Sequence, residues 1–294
     1  MTNTAKAALG LAALFLAIPV AYSCWRWVRG LSDALPEVWD WRLTLKSTLA
    51  FALAFNLIFF IQELFLVVPK AFTPGLEPTL FHNNHDWRGH HPREDLLQGT
   101  GALATVLAGV LFSWWLIRRT PKGDVTRLVL FWLALLGFLS ALPQVVIGTV
   151  ILQNDVGRAM SYLHFTPNAR LLASIGAFFA MAVACWRLTP YLLSVAPAGE
   201  SRHGATAVRL AAIPCLLAIP LIAAFRVPNS TIEVLLPPCV DASIAAVWIV
   251  AAAWHPRPIN TGMPRSLPIA WLLVALGCLL ALFQLVLRPG IDFY

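Results

Sequence analysis

The stretch that decides the fold is residues 45–68, LKSTLAFALAFNLIFFIQELFLVV, in which Lys46 and Glu63 are the only charged side chains. A helix needs about 20 mostly apolar residues to cross the hydrocarbon core of a bilayer, so this stretch predicts a membrane span. Similar stretches recur along the chain, separated by links with proline and glycine, which end helices. The predicted spans are residues 7–27, 45–68, 98–117, 125–152, 166–188, 206–226, 232–254 and 267–287.

The composition supports the same class of protein. The chain is 59% hydrophobic and 12% charged, against roughly 25% charged in a typical soluble domain. No stretch alternates like a strand of an outer-membrane barrel. We therefore predict an all-α integral membrane protein, a single domain over residues 1–294 with about eight transmembrane helices, in the cytoplasmic membrane if the source is bacterial. A cleaved N-terminal signal segment would leave seven helices.

The distribution of basic residues predicts the orientation of the helices. Most of the 21 Lys and Arg residues fall in the inner links if the N-terminus lies outside, so the positive-inside rule places both termini on the extracytoplasmic side. The same enrichment accounts for the formal charge of +7 without a nucleic-acid partner. The chain has no phosphate-binding glycine loop, CxxCH motif or pair of mid-span histidines, so neither a nucleotide nor haem is predicted.

Polar residues inside the predicted spans gather toward the outer side. Gln144 and Asp241 lie deep in the fourth and seventh spans, and Glu233 lies nearer an outer end. Ionisable groups at such depth normally face the bundle interior or water, so these residues predict a polar cavity that opens to the extracytoplasmic side. For Glu233, a place at the wet interface is the alternative. The pair Pro237-Pro238 is expected to break the seventh helix near Asp241.

The second link contains a dense group of histidines. Residues 82–91 read HNNHDWRGHH and hold four of the chain's seven histidines. His82 and His85 are three positions apart and would share one face of a helical turn. Two imidazoles with a carboxylate, from Glu63 or Asp86, would suit Zn²⁺ or another divalent ion. An interfacial loop, pH sensing or a proton relay are the alternative interpretations.

The fourth link is predicted to lie on the same side and could complete the site. His164 is a candidate third metal ligand, and Asp155 is a candidate catalytic group or a partner that orients an imidazole. Ordinary turn and cap chemistry is the alternative for this link. In particular, Thr166 followed by Pro167 predicts a helix N-cap with proline in the first turn.

Together, these patterns favour a metal-dependent, hydrolase-like membrane enzyme that acts on a lipid or membrane-embedded substrate from the outer side. The candidate metal, with zinc preferred, would be bound by the three histidines, and the candidate catalytic groups are Glu63, Asp86 and Asp155. One alternative is a proton-coupled transporter that uses Glu63 and Asp241, although the inner halves of the spans are poor in polar residues. Another is a non-catalytic subunit or assembly factor whose protein partners the sequence does not identify.

Overall fold

Eight helices are long and apolar enough to cross a membrane in the computed structural model, which describes residues 2–29, 39–196, 203–255 and 264–294. Their bounds overlap the eight predicted spans. The helices are α1 (Asn3–Arg29), α2 (Trp41–Ala71), α4 (Thr100–Arg119), α5 (Asp124–Leu139) with α6 (Leu142–Val150), α8 (Pro167–Leu193), α9 (His203–Ala207) continuing through a π turn into α10 (Ile213–Arg226), α11 (Thr231–Ala253) and α12 (Ala270–Ala281) with a π turn to Leu287. Short helices α3 (Glu94–Leu97) and α7 (Asp155–Tyr162) lie in the links.

The centre of the bundle is formed by α2 and α5, which contact each other and are the most buried of the spans. The glycines Gly109 of α4 and Gly137 of α5 bring two helices together, since a Cβ on Gly137 would lie 2.5 Å from the Gly109 backbone. Small residues allow such close approach between membrane helices. Large apolar side chains on α1, α4, α8 and α12 are exposed, as expected where helices face lipid.

Proline has different effects in the fourth and seventh spans. The fourth span is two helices, because α5 ends at Leu139 and α6 begins at Leu142 with Pro143 in its first turn. The predicted break at Pro237-Pro238 is wrong, because α11 runs through both prolines. Pro237 has no amide to donate to the carbonyl of Glu233, four positions back. The Arg226 side chain donates to that oxygen instead, from Nε at 3.2 Å and Nη2 at 2.8 Å.

A small sheet covers one end of the bundle. Strands β1 (Leu76–Leu80) and β2 (His85–Gly89) form an antiparallel hairpin, and β3 (Ile291–Asp292) pairs with β1. The helical turn predicted for His82 and His85 is therefore wrong. We call this the hairpin end; the C-terminal strand lies at this end too.

Candidate functional site

A cavity of about 400 Å³ lies at the hairpin end of the bundle. Its walls come from α2, the α5–α6 junction, α10, α11 and the links that follow α2 and α6. Glu63 and Asp241 are buried, whereas Asn84 and Glu233 are exposed and mark its mouth. The lining residues are Phe55, Phe59, Gln62, Glu63, Asn83, Asn84, Ser140, Pro143, Gln144, Ile147, Asn154, Asp155, Arg226, Asn229, Glu233, Leu236, Pro237, Val240 and Asp241.

The three residues predicted to line a polar cavity, Gln144, Asp241 and Glu233, all line this one. Ser140, at the break between α5 and α6, contacts two of them, Gln144 and Asp241. Gln144 Nε2 donates to the carbonyl oxygen of Ser140 at 2.7 Å and to Gln62 Oε1 at 2.8 Å. The Ser140 hydroxyl donates to Asp241 Oδ2 at 2.8 Å. The broken span is therefore joined to α2 and α11 through side-chain hydrogen bonds at the cavity wall.

Glu63 lines the cavity and contacts His85, which is not itself a lining residue. His85 Nδ1 lies 2.8 Å from Glu63 Oε2, and His85 Nε2 lies 3.2 Å from Gln98 Oε1. Lys70 Nζ donates to the same Gln98 atom at 3.2 Å, which supports its assignment as the amide oxygen. His85 Nε2 therefore donates, and the Nδ1 contact needs one further proton, on His85 or on Glu63. Either way, the two side chains share one proton between Nδ1 and Oε2, in addition to the proton on Nε2.

Two basic side chains, Lys70 and Arg158, lie near the Glu63–His85 pair. The buried Lys70 Nζ is 4.2 Å from the centre of the Trp87 ring, and the Arg158 guanidinium is 5.3 Å from the same ring centre. Both distances fall in the range of cation–π interactions. Arg158 also pairs with Asp95 at 2.6 Å. Trp87, which lies within the histidine-rich stretch 82–91, therefore packs over the Lys70 amine that contacts Gln98.

Asp155, a predicted catalytic residue, begins α7 and lines the cavity. Burial raises the pKa of the Asp155 carboxyl above its ordinary value, and the negative charge of Glu63 raises it further. Both effects favour the neutral acid. The charge of Glu63 therefore influences the protonation of Asp155.

Arg226 is a site residue that the sequence does not reveal. It lies at the end of an apolar helix, where a basic residue looks like an ordinary flanking charge. In the structure it is 3% exposed, and its guanidinium lies 4.1 Å from the centre of the Phe59 ring. It interacts electrostatically with Glu63, Asp241 and Glu233. Arg226 thus places a positive charge among the acidic residues of the cavity.

Other predicted site residues lie elsewhere. His82 is buried, and its Nε2 donates to the Val227 carbonyl oxygen at 3.2 Å; burial lowers the pKa of this imidazole. Asp86 is exposed and accepts from its neighbour's amide. His164 is exposed, with a left-handed φ of 55°. In the part of the chain that the structure describes, no group of three or more His, Cys, Asp or Glu is placed to hold a metal.

The fold and the site define a helical integral membrane protein with a cavity, lined in part by polar and charged side chains, at one end of its bundle. No known family, curated protein or solved structure matches this chain. The arguments for function therefore come from the geometry of the cavity.

Proposed function

We propose that this chain is a proton-coupled carrier that takes a small polar solute into the cavity from the hairpin end. The observation that supports this function is the contact of 2.8 Å between Glu63 and His85 at the cavity wall. The pair shares one proton between Nδ1 and Oε2, and Glu63 is the member that lines the cavity. Intramembrane carboxylates and histidines in such positions are typical of proton relays in transporters.

Coupling follows from electrostatics. With the shared proton the pair is neutral overall, so gain or loss of a proton changes the charge beside the bound solute. A charged group within about 4–6 Å shifts the proton affinity of such a pair. A solute that carries charge therefore binds one protonation state better than the other. Binding and proton exchange are linked for this reason.

The broken span supports movement at the site. Discontinuous helices lie at the substrate sites of many secondary transporters, where the two pieces can move separately. Here the junction between α5 and α6 lines the cavity, and Ser140 at this junction donates to Asp241 of α11. A change in the charge of Asp241 would alter that contact. The junction therefore offers a way to transmit occupancy of the cavity to α6.

The opposite half of the bundle is packed with large side chains. Phe51, Phe131 and Trp132 are buried, and the Trp132 indole donates to Ser47 Oγ at 3.0 Å. In this proposal the structure corresponds to the state that is open at the hairpin end and closed at the other. The scarcity of polar residues in the inner halves then reflects this closed packing. The positive-inside rule would make the hairpin end extracytoplasmic.

The experiment uses protein reconstituted in liposomes that contain a pH-sensitive dye. Amino acids, amines, carboxylates and sugars are added separately. We expect one class to evoke a proton flux that Glu63→Gln abolishes. The control Glu77→Gln changes an exposed carboxylate on β1 and should leave the flux intact. A flux that Glu63→Gln leaves unchanged, or no flux with any class, would contradict the carrier.

The same preparation tests the metal-dependent enzyme that the sequence also predicts. Of its three candidate histidines, His85 contacts a candidate carboxylate, Glu63. Metal analysis by mass spectrometry compares the natural chain with the His82→Ala/His85→Ala double variant. About one equivalent of zinc, lost in the double variant, would favour the enzyme. Proton flux from metal-free protein would favour the carrier.

A further inference from the structure

We infer that the cavity takes a zwitterion of the amino-acid type, with its carboxylate at Arg226 and its ammonium group near Asn83 and the acidic residues. This inference rests on the proposed carrier function, because it names the solute class for the same cavity. Two unpartnered polar atoms, the surrounding charges and the apolar walls support it.

The guanidinium of Arg226 has acidic residues nearby but keeps one N–H donor without a partner among the described residues. Its Nε and Nη2 donate to the Glu233 carbonyl oxygen, which carries no formal charge. Its Nη1 is buried and has no hydrogen-bond partner among the described residues, and none of them forms an ion pair with Arg226. A buried N–H donor without an acceptor is destabilising. A solute carboxylate would provide the missing acceptor and a direct, charge-assisted hydrogen bond to the guanidinium.

Asn83 has an acceptor without a donor, whereas Arg226 has a donor without an acceptor. Its Nδ2 donates to the Arg226 carbonyl oxygen at 2.8 Å, which identifies the other amide atom as Oδ1. Oδ1 is buried without a partner, and the side chain lines the cavity. An acceptor in this position needs an N–H or O–H donor. The ammonium group of the solute would supply that donor.

The carboxyl groups and the apolar walls of the cavity further restrict the chemical class of the solute. The carboxyls of Glu63, Asp155 and Asp241 line it, and among its described lining residues Arg226 is the only Lys or Arg. Their carboxyl oxygens can accept hydrogen bonds, which favours a solute with an N–H donor such as an ammonium group. Phe55 and Leu236 contribute to the apolar part of the wall. The combination favours an amino acid with an apolar side chain.

Simpler solutes satisfy only part of this site. An amine without a carboxylate would leave the Arg226 donor without an acceptor. A carboxylate without an amine would leave Asn83 Oδ1 unpartnered and would add negative charge beside the acidic residues. Because the zwitterion avoids both penalties, we expect it to bind about tenfold or more tightly than either, a difference of about 1.4 kcal/mol.

Two matched series test this preference on the full chain in lipid nanodiscs. The first is phenylalanine, 2-phenylethylamine and 3-phenylpropanoate, and the second is leucine, 3-methylbutylamine and 4-methylpentanoate. Affinities are measured by calorimetry. Arg226→Gln should weaken zwitterion binding about tenfold or more and leave amine binding within about twofold. The control Arg288→Gln changes an exposed arginine and should have no effect.

Arg226 also satisfies a backbone carbonyl, so its variant could fail to fold. Asn83→Leu provides a second test, since it removes the acceptor while Arg226 remains. This variant should weaken the zwitterion and the amine but not the carboxylate. Equal binding of amine and zwitterion, no binding of either zwitterion at millimolar concentration, or an unchanged preference in these variants would overturn the inference.

The outcomes separate this inference from the carrier proposal. If the zwitterions fail but another solute class evokes Glu63-dependent proton flux, the solute class is wrong and the carrier stands. If the zwitterions bind with the expected preference but no proton flux follows, the solute class stands and the carrier is wrong.

Discussion

His85 Nδ1 lies 2.8 Å from Glu63 Oε2, and the two residues come from different kinds of structure. Glu63 is in α2, near the end of a membrane span, whereas His85 is the first residue of β2 in the hairpin. Their side chains are only 6% and 8% exposed. The contact therefore ties the hairpin to the bundle and, in our proposal, holds the proton that the carrier exchanges.

The pair should contribute to stability as a unit. In a double-mutant cycle with Glu63→Gln and His85→Asn, we expect a coupling free energy of about 1–3 kcal/mol, because buried partners in one hydrogen-bond network are not additive. Unfolding in mixed micelles with SDS, followed by circular dichroism, measures each variant.

The pair between Arg158 and Asp95 is the matched control for this cycle. These side chains are 32% and 44% exposed, so solvent should limit their coupling to about 1 kcal/mol or less. A Glu63–His85 coupling no larger than this control would contradict the structural role of the buried pair.

A second prediction concerns stability and follows from the close packing of α4 against α5. Gly137→Ala should destabilise the chain by about 2 kcal/mol or more, because the new methyl would lie 2.5 Å from the backbone of Gly109. Gly176→Ala is the control, since nothing lies within 4 Å of its new Cβ, and alanine in a helix is favoured by up to about 1 kcal/mol. Thermal unfolding in detergent compares the two variants. Equal midpoints would show that the helices are not packed this closely.

The opposite end of the bundle contains a buried ion pair. Lys46 Nζ lies 2.5 Å from Asp124 Oδ2, with side chains 8% and 7% exposed. Asp124 Oδ1 also accepts from the amide of Leu267 at 2.8 Å, which connects α2 and α5 to the segment before α12. Asp124→Asn should cost about 3 kcal/mol, since it leaves a buried ammonium group without its counterion.

A double variant tests whether the unpaired Lys46 ammonium group causes the destabilisation by Asp124→Asn. In the Lys46→Met/Asp124→Asn double variant, no buried charge is left unpaired, so part of the stability should return. Denaturation in SDS micelles measures both variants. If the double variant is less stable than Asp124→Asn alone, an unpaired lysine is not the source of the destabilisation.

The raised pKa of Asp155 leads us to expect that the stability of the chain depends on pH. Its pKa in the folded chain is raised above the usual value of 3.8, first by burial and then by Glu63. The folded state therefore holds this proton more tightly than the unfolded state, and stability falls as pH rises through the interval between the two pKa values. Asp155→Asn should match the natural chain near pH 4 and be more stable at about pH 7.

The measurement for Asp155 is the unfolding midpoint across this pH range. Asp86→Asn, at an exposed position on β2, serves as the control and should follow the natural chain at every pH. A stability difference between Asp155→Asn and the natural chain that does not grow with pH would argue against a destabilising, buried carboxylate.

Features with a local cause could be predicted from the sequence. Thr166 is confirmed as the N-cap of α8, with its hydroxyl accepting from the Ala169 amide at 3.2 Å and Pro167 in the first turn. Pro143 is also in the first turn of its helix, α6, although this helix start within the fourth span was not predicted. In contrast, Pro237 stays inside a continuous helix because a distant residue, Arg226, satisfies the freed carbonyl. The effect of a proline thus depends on its tertiary partners.

The sequence by itself determined the class of protein and the helical spans, because lipid offers no hydrogen-bond partners and each long apolar segment must satisfy its backbone within itself. It also indicated Glu63 and Asp241 as ionisable residues within the spans, which normally face the bundle interior or water. Only the tertiary structure decided that His85, but not His82 or His164, contacts Glu63, and that Arg226 lines the same cavity as Glu63. These contacts join residues far apart in the chain, and they depend on which helix faces meet and on how the hairpin folds over them.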